Sequence, residues 1–406
     1  MMQTNKESQT VFFLIFISTL GYFVDVYDLL LFSVVRKKSL IELGIPELQT
    51  LGIGLKLLNF QTIGLLIGGV FWGIIGDKKG RLTVLFGSIL IYSISNIANG
   101  FITTVEQYEV LRLLAGFGLA GELGAGVTLV METMKKENRT IGVTIIASAG
   151  LSGAVVAGYV GQYFDWRNAF IIGGVMGLCL LLLRFKAYES GLFNAIKQGI
   201  KRGNIALIFT DSDRFFKYAK TILVGLPTYF VVGLILAVAP EFAKEIGIME
   251  KVNTGNAMMF CFSGFCVADV VGGLLSQKLK SRKKVFYLFN ILSLFSIVWF
   301  FLFPAVSVQQ MYLQFVVLGV SIGYWALLVT NASEQFGTNL RATVTTTVPN
   351  FIRGALVPIT MLFEYLRTGM NIAHSGFVIG ISTVLIALMA TYFTKETFGK
   401  DLNYTE

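Results

Sequence analysis

Twelve predominantly apolar stretches, each close to the length that crosses a bilayer as a helix, follow one another along the chain. They lie at about 11–35, 52–76, 82–102, 107–131, 140–163, 168–186, 219–240, 255–277, 285–304, 308–331, 342–366 and 373–393. A helix of about twenty residues spans the hydrocarbon core, and in lipid only helices or closed barrels satisfy their own backbone groups. The stretches run on continuously, as in Val285–Phe303, and do not alternate as barrel strands do, so a barrel is excluded. Composition agrees. Of 406 residues 54% are hydrophobic and 14% charged, against about 25% charged in ordinary domains. That leaves too little polar cover for a soluble enzyme, and it suits neither a disordered chain nor a disulfide scaffold. The expected fold is an all-α polytopic membrane protein of twelve transmembrane helices.

The longest polar stretch, Lys186–Lys220, divides the twelve into six and six. That is the pattern of two six-helix pseudo-repeat halves joined by a linker, with expected boundaries 1–186, 187–218 and 219–406. With the N-terminus placed inside, Lys and Arg between the stretches number 23 on the inner side and 8 on the outer. The excess of cations on the cytoplasmic side then puts both termini there. Arg36, Lys37 and Lys38 are a local exception, read as the outer end of a long first helix. The formal charge of +9 belongs to these loops, so nucleic acid is not an expected partner. No small-residue cleavage site follows the stretch that opens at Val11, which reads as a retained helix and not a signal peptide. Cys179, Cys261 and Cys266 sit in apolar stretches without a neighbouring His, so no metal site is expected. No nucleotide-holding G-x-x-x-x-G-K-[ST] loop appears, and no cofactor is expected.

Between the second and third stretches the chain reads Gly73-Ile-Ile-Gly76-Asp77-Lys78-Lys-Gly80-Arg81-Leu. Glycine permits a tight turn where a side chain would clash, and a carboxylate among cations at a helix end can enter a switchable ion-pair network. The run closely resembles the loop G-x-x-x-D-[RK]-x-G-R-[RK] of the major facilitator superfamily, departing only at the last basic position. Arg112-Leu-Leu-Ala-Gly-Phe-Gly-Leu-Ala-Gly-Glu122-Leu-Gly124, running on to Glu132 and Arg139, resembles the fourth helix of the metabolite:proton symporters. Asp165–Phe170 and Tyr188–Phe193 continue that resemblance. The segment Glu334-Gln-Phe-Gly-Thr-Asn-Leu-Arg341-Ala is similar to their E-x-x-P-T-x-x-R-A loop, with Gly337 in place of Pro. The resemblance implies the major facilitator fold, with a central cavity from helices one, four, seven and ten, and alternating access by rocking of the halves. It also implies a gating motif made of Gly73, Gly76, Asp77, Lys78, Gly80 and Arg81 with Glu132, Arg139, Glu334 and Arg341. The loop Lys278–Lys284 takes the corresponding place in the second half without the acidic-Gly-Arg core.

Charges inside the membrane are expensive and are candidates for function by default. Asp25 and Asp28 stand three apart on the first helix and share a face. Two ionised carboxylates that close repel, which suits one of them to carry a proton. A rise of 1.5 Å per residue puts Asp28 roughly 25 Å above Val11 and Arg112 roughly 8 Å below the outer surface, so the two are expected to pair. Glu122, roughly 22 Å down the fourth helix, is a third candidate for proton coupling with partners on neighbouring helices. Arg353, alone in the eleventh stretch, either attracts an anionic substrate or neutralises an acidic neighbour such as Glu334. Asp269 is read as a brace for the second-half loop. Tyr27, Tyr229, Tyr324 and Trp325, with Tyr22, are candidate cavity aromatics, each an apolar body with a polar tip.

The reading is a proton-coupled symporter of a small organic anion or carboxylate-type metabolite and not an enzyme, acting as a single chain in a bacterial inner membrane. A citrate-type siderophore, a zwitterion such as betaine, export in place of import, and a receptor on the same scaffold stay open.

Overall fold

The computed structural model describes residues 2–134, 139–186, 203–248, 250 and 252–400. No strand occurs among them. The transmembrane helices are α1 (Met2–Glu42), α2 (Thr50–Lys79), α3 (Arg81–Asn99), α4 (Val105–Thr133), α5 (Arg139–Tyr163) and α6 (Trp166–Leu183), then α7 (Ser212–Ile235), α8 (Thr254–Leu279), α9 (Arg282–Leu302), α10 (Val308–Gln335), α11 (Arg341–Gly354 and Leu356–Leu366) and α12 (Ile372–Phe393). Eleven are long and apolar enough to cross a membrane as they stand. The twelfth, α11, is parted at Ala355, and its first piece is Thr-rich and carries Arg341 and Arg353. Its apolar content is therefore diluted by residues that serve the interior of the protein.

Helix starts follow from local chemistry. The side chains of Thr104, Asp165, Asn253, Ser281, Ser307 and Asn371 each accept from a backbone N–H of the first turn of α4, α6, α8, α9, α10 and α12, satisfying donors that have no partner within the helix. Boundaries differ most at α1, which continues to Glu42, and at α7, which begins at Ser212. The start of α7 lies seven residues ahead of the expected one because Asp211 caps a turn that hydropathy reads as linker. Residues 187–202 of that linker, and with them the 188–193 match, lie outside the described residues.

Besides α11, four helices are interrupted in mid-span. These are α4 at Ala120-Gly121, α5 at Ser152, α7 by a π-helical turn at Phe230–Ile235, and α10 at Ile322–Tyr324. Irregular backbone at membrane depth is tolerated where protein or a cavity covers it: the Ala120 carbonyl at the α4 break accepts from Asn350 of the other half, whereas the α10 break packs on Ala268 of its own half. The halves meet along two seams, α2 with α11 and α5 with α8. The first is close enough that a Cβ on Gly73 would lie 2.9 Å from the Thr343 Cα. Glycine there is a condition of contact.

Candidate functional site

Between the halves lies a cavity of about 20 Å³ walled by Tyr22, Tyr229, Trp325 and Arg353, with Leu29 and Phe265. That is room for roughly one water molecule, so the conformation is closed around an unexpanded site. Arg353 reaches from α11 to Asp25 on α1, Nη2 to Oδ2 3.4 Å, and both side chains are buried. The Trp325 ring centroid is 5.9 Å from the Arg353 guanidinium and 5.9 Å from the Tyr229 ring. Trp325 opens the inner piece of α10, and Asp269 fixes that opening. One carboxylate oxygen accepts from the Ala326 N–H at 3.0 Å, and the other accepts from the Ser148 hydroxyl of α5 at 3.0 Å. Asp269 thus ties the first half to the broken helix of the second, and does not brace the α8–α9 loop as expected.

Three expectations for this region need correction. Arg353 faces Asp25, while Glu334 belongs to Arg282. The Tyr27 hydroxyl donates to the Ala169 carbonyl at 2.8 Å, turned into α6 and away from the cavity. The Tyr324 hydroxyl donates to the Val224 carbonyl at 3.0 Å, because the break in α10 turns its ring into the second half. Tyr22, Tyr229 and Trp325 remain at the cavity wall.

Asp28 and Arg112 are both fully buried and lie within electrostatic range of each other, but no direct ion pair joins them within 4.0 Å, so the expected pairing is not a contact. Asn96 of α3 takes the arginine instead, its Oδ1 accepting from Nη2 at 2.8 Å, and the Phe170 ring lies 4.6 Å from the guanidinium. The Asp28 carboxylate packs on Gly173 of α6, where a Cβ would lie 2.0 Å from Oδ1. Neither oxygen makes a hydrogen bond of full geometry among the described residues, the Asn96 amide being the polar group that acts on the carboxylate, and Nε and Nη1 of Arg112 are likewise unmatched. The face shared by Asp25 and Asp28 is therefore split, one carboxylate toward the cavity and one toward the interior of the first half. Glu122 is held by both terminal nitrogens of Arg184 at the end of α6.

The end of the bundle that carries the α2–α3 turn is bridged by the predicted motif. Asp77 reaches across the seam and accepts from the backbone N–H of Ala342 (3.1 Å), the N–H of Thr343 (2.8 Å) and the Thr343 hydroxyl (2.6 Å). A carboxylate here also meets the positive end of α11. Arg81 binds Glu132 at 2.8 Å and the Gly76 carbonyl at 2.8 Å, and Arg341 joins Glu132 at 3.3 Å from the other half. Gly80 sits at φ +99°, a conformation that favours glycine. Gly76 lets Ala342 approach, its Cβ 3.2 Å from where a side chain would begin. Lys78 is exposed, and Arg139 donates to the Met134 carbonyl at 3.1 Å.

The second-half loop is less degenerate than its sequence implies. Arg282 stands where Arg81 does and pairs with Glu334 at 2.9 Å. It also reaches Thr140 of the first half at 2.8 Å. The segment after α12 completes this corner. Glu396 accepts from the Arg282 N–H at 2.9 Å, and the Thr397 hydroxyl donates to Glu334 at 2.7 Å.

At the outer end, Arg36 of α1 pairs with Glu241, just beyond α7, at 2.7 Å and donates to the Ala237 carbonyl at 3.2 Å. Sequence reading treated Arg36 only as an exception to loop charge. The missed signal is an arginine at the edge of an apolar stretch, where burial is costly without a partner. Both ends of the cavity are thus closed by bridges between the halves.

The profile of the Major Facilitator Superfamily matches residues 11–352. A putative proline/betaine transporter of Staphylococcus aureus is 27% identical over 372 residues, covering 83% of this chain and 77% of that protein. A probable 4-methylmuconolactone transporter of Cupriavidus pinatubonensis is 25% identical over 338 residues, covering 80% and 76%. Among solved structures, a proton:xylose symporter bound to a bromodeoxyglucose superposes with a TM-score of 0.72 at 17% identity over 98% of each chain. The fold, the gate and the profile converge on one assignment: the chain belongs to the major facilitator superfamily, as a membrane transporter of small molecules and not an enzyme.

Proposed function

We propose that the protein is a proton-coupled symporter of a small organic anion of the carboxylate type, working by alternating access. The observation that carries this reading is the Asp25–Arg353 pair, which spans the halves at the wall of the closed cavity. An incoming carboxylate can take Arg353 from Asp25. The aspartate, left without its cation in a buried site, then accepts a proton, because an unpaired buried anion is costly. Asp28 is the second proton candidate, since its carboxylate is buried with neither oxygen in a hydrogen bond of full geometry. Glu122 is the weakest of the three, because Arg184 already satisfies both of its oxygens. The gating role belongs to Asp77, Arg81, Glu132 and Arg341, with Arg282 and Glu334 behind them. The setting is a bacterial cytoplasmic membrane with both termini inside, supported by the cation bias, and the working unit is the single chain.

One second reading has support. Asp25 and Arg353 present opposite charges beside Trp325 and Tyr229, an arrangement that could also divide itself over the two ends of a zwitterion, and one relative bears a proline/betaine name. A thermal-shift screen of the purified protein against carboxylates, amino acids, betaines and siderophores separates the two. Hits are then followed by uptake into proteoliposomes under an imposed pH gradient. Stabilisation by carboxylates with gradient-driven accumulation is expected. Accumulation indifferent to pH, or binding confined to betaines, overturns the proton-anion reading.

A further inference from the structure

Three helices converge on the cytoplasmic side of the second half, with α12 packed between α7 and α9. Four lysines from separate segments gather around the end of α12. Lys217 and Lys220 come from the first turns of α7, Lys283 from the first turn of α9, and Lys395 from just past α12. One carboxylate, Asp213, serves two of them, at 2.6 Å to Lys217 and 4.0 Å to Lys395. The other two donate to the last carbonyls of α12, Lys220 to Phe393 at 2.9 Å and Lys283 to Tyr392 at 2.6 Å. Lys220 lies within electrostatic range of all the others.

Capping the helix end accounts for Lys220 and Lys283, since cations favour a helix C-terminus. It does not account for Lys217 and Lys395, which share Asp213 as their one ion-pair partner within 4.0 Å among the described residues. Like charges so gathered repel unless an anion comes between them. The neighbouring surface says what kind. Phe216, Tyr392 and Phe393 beside the lysines are 58%, 66% and 60% exposed; a tyrosine at a helix end suits headgroup level in a bilayer, and the two phenylalanines offer apolar surface next to it. The lysines therefore stand where a lipid phosphate lies, with apolar surface alongside for its chains.

We infer that Lys217, Lys220, Lys283 and Lys395 form a binding site for the headgroup of an anionic phospholipid on the cytoplasmic face of the second half. Basic pockets between helices on this face suit such headgroups. The site lies directly behind the Arg282 corner, since Lys283 follows Arg282 and Lys395 precedes Glu396. A bound headgroup steadies that corner.

The test is native mass spectrometry of the delipidated full-length protein with added phosphatidylglycerol or phosphatidylcholine, and with glycerol 3-phosphate as the soluble competitor. One phosphatidylglycerol should be retained per chain, at least about tenfold more tightly than phosphatidylcholine. The double variant Lys217→Gln/Lys395→Gln, whose side chains hold no backbone group, should lose about that preference while melting like the wild type. A charge-matched control, Lys278→Gln/Lys284→Gln, neutralises exposed lysines of the neighbouring loop and should keep it. Equal loss in the control would reduce the effect to net charge and overturn the site. So would equal retention of phosphatidylcholine. Displacement by glycerol 3-phosphate at matching affinity would make it a soluble-phosphate site and overturn the lipid assignment.

Discussion

The α2–α3 and α8–α9 corners of the molecule occupy equivalent places in the two halves and close by different means. In the first, the residue four before Arg81 is Asp77, which crosses the seam and caps α11. In the second, the residue four before Arg282 is Lys278, which is exposed. The crossing there falls to Arg282 itself, through one hydrogen bond to Thr140. The turns differ in kind as well. Gly80 takes φ +99° in the first loop, whereas Lys280 takes φ +49° in the second, a left-handed cap of α8. One corner thus holds the halves together with charge, and the other mainly organises its own half around Glu334 and the Glu396–Thr397 segment. Inner closure should therefore depend far more on the first corner than on the second, and substitutions can break or sharpen that asymmetry.

The largest effect is expected at Glu132, which holds Arg81 of one half and Arg341 of the other. Glu132→Gln removes the carboxylate that the two buried arginines share, leaving Arg81 its longer contact with Asp77 at 3.5 Å, a loss of up to about 3–5 kcal/mol in the closed state. Melting temperature and initial uptake rate should both fall sharply, while membrane insertion measured by a fluorescent fusion stays normal. Next comes Asp77→Asn. The amide cannot accept from Ala342 and Thr343 together, and bonds to a charged acceptor are worth about 1.5–3 kcal/mol. Transport should drop by about tenfold or more, and uptake at the wild-type rate would remove the loop from gating. Arg282→Ala should act mainly as a local lesion, lowering the melting temperature with a smaller loss of transport than Asp77→Asn. The smallest effect is expected for Thr140→Val, which removes the cross-seam hydrogen bond from Arg282 and costs about 0.5–1.5 kcal/mol. Uptake kinetics of the four variants side by side give the ranking, and an order led by Thr140→Val would reverse the asymmetry.

The central pair gives a prediction of another kind. Asp25→Asn and Asp28→Asn should each be compared for accumulation against a gradient and for exchange at equal concentrations. Loss of accumulation with surviving exchange marks the proton carrier. Accumulation intact in both would move coupling to Glu122.

Most of this architecture was legible because lipid enforces it. Long apolar runs had to be helices, and a Gly-Asp-Lys-Lys-Gly-Arg turn between two of them had to be a charged corner between spans. The pairings were not legible. Depth along a helix places Asp28 beside Arg112, but only the packing of α3 shows that Asn96 stands in the way. Arg353 and Asp25 lie 328 residues apart and meet through the closing of the halves, which no local pattern encodes. Arg282 was passed over because the motif around it lacks its acid, although the arginine alone keeps the equivalent contact with a glutamate. Tyr27 and Tyr324 were placed by span and not by direction. A ring's direction in a membrane helix depends on where its hydroxyl finds an acceptor.

The measurement that bears most directly on the account is the distance across the face that carries the α2–α3 and α8–α9 turns, taken by double electron–electron resonance. Spin labels at Thr83 on α3 and Lys284 on α9, both exposed positions in opposite halves, report it once the native cysteines are replaced. The account predicts one short-distance population in the parent. It predicts a large second population at longer distance in Asp77→Asn and almost none in Thr140→Val. Identical distributions in the parent and Asp77→Asn would contradict the claim that the first corner holds the inner side closed.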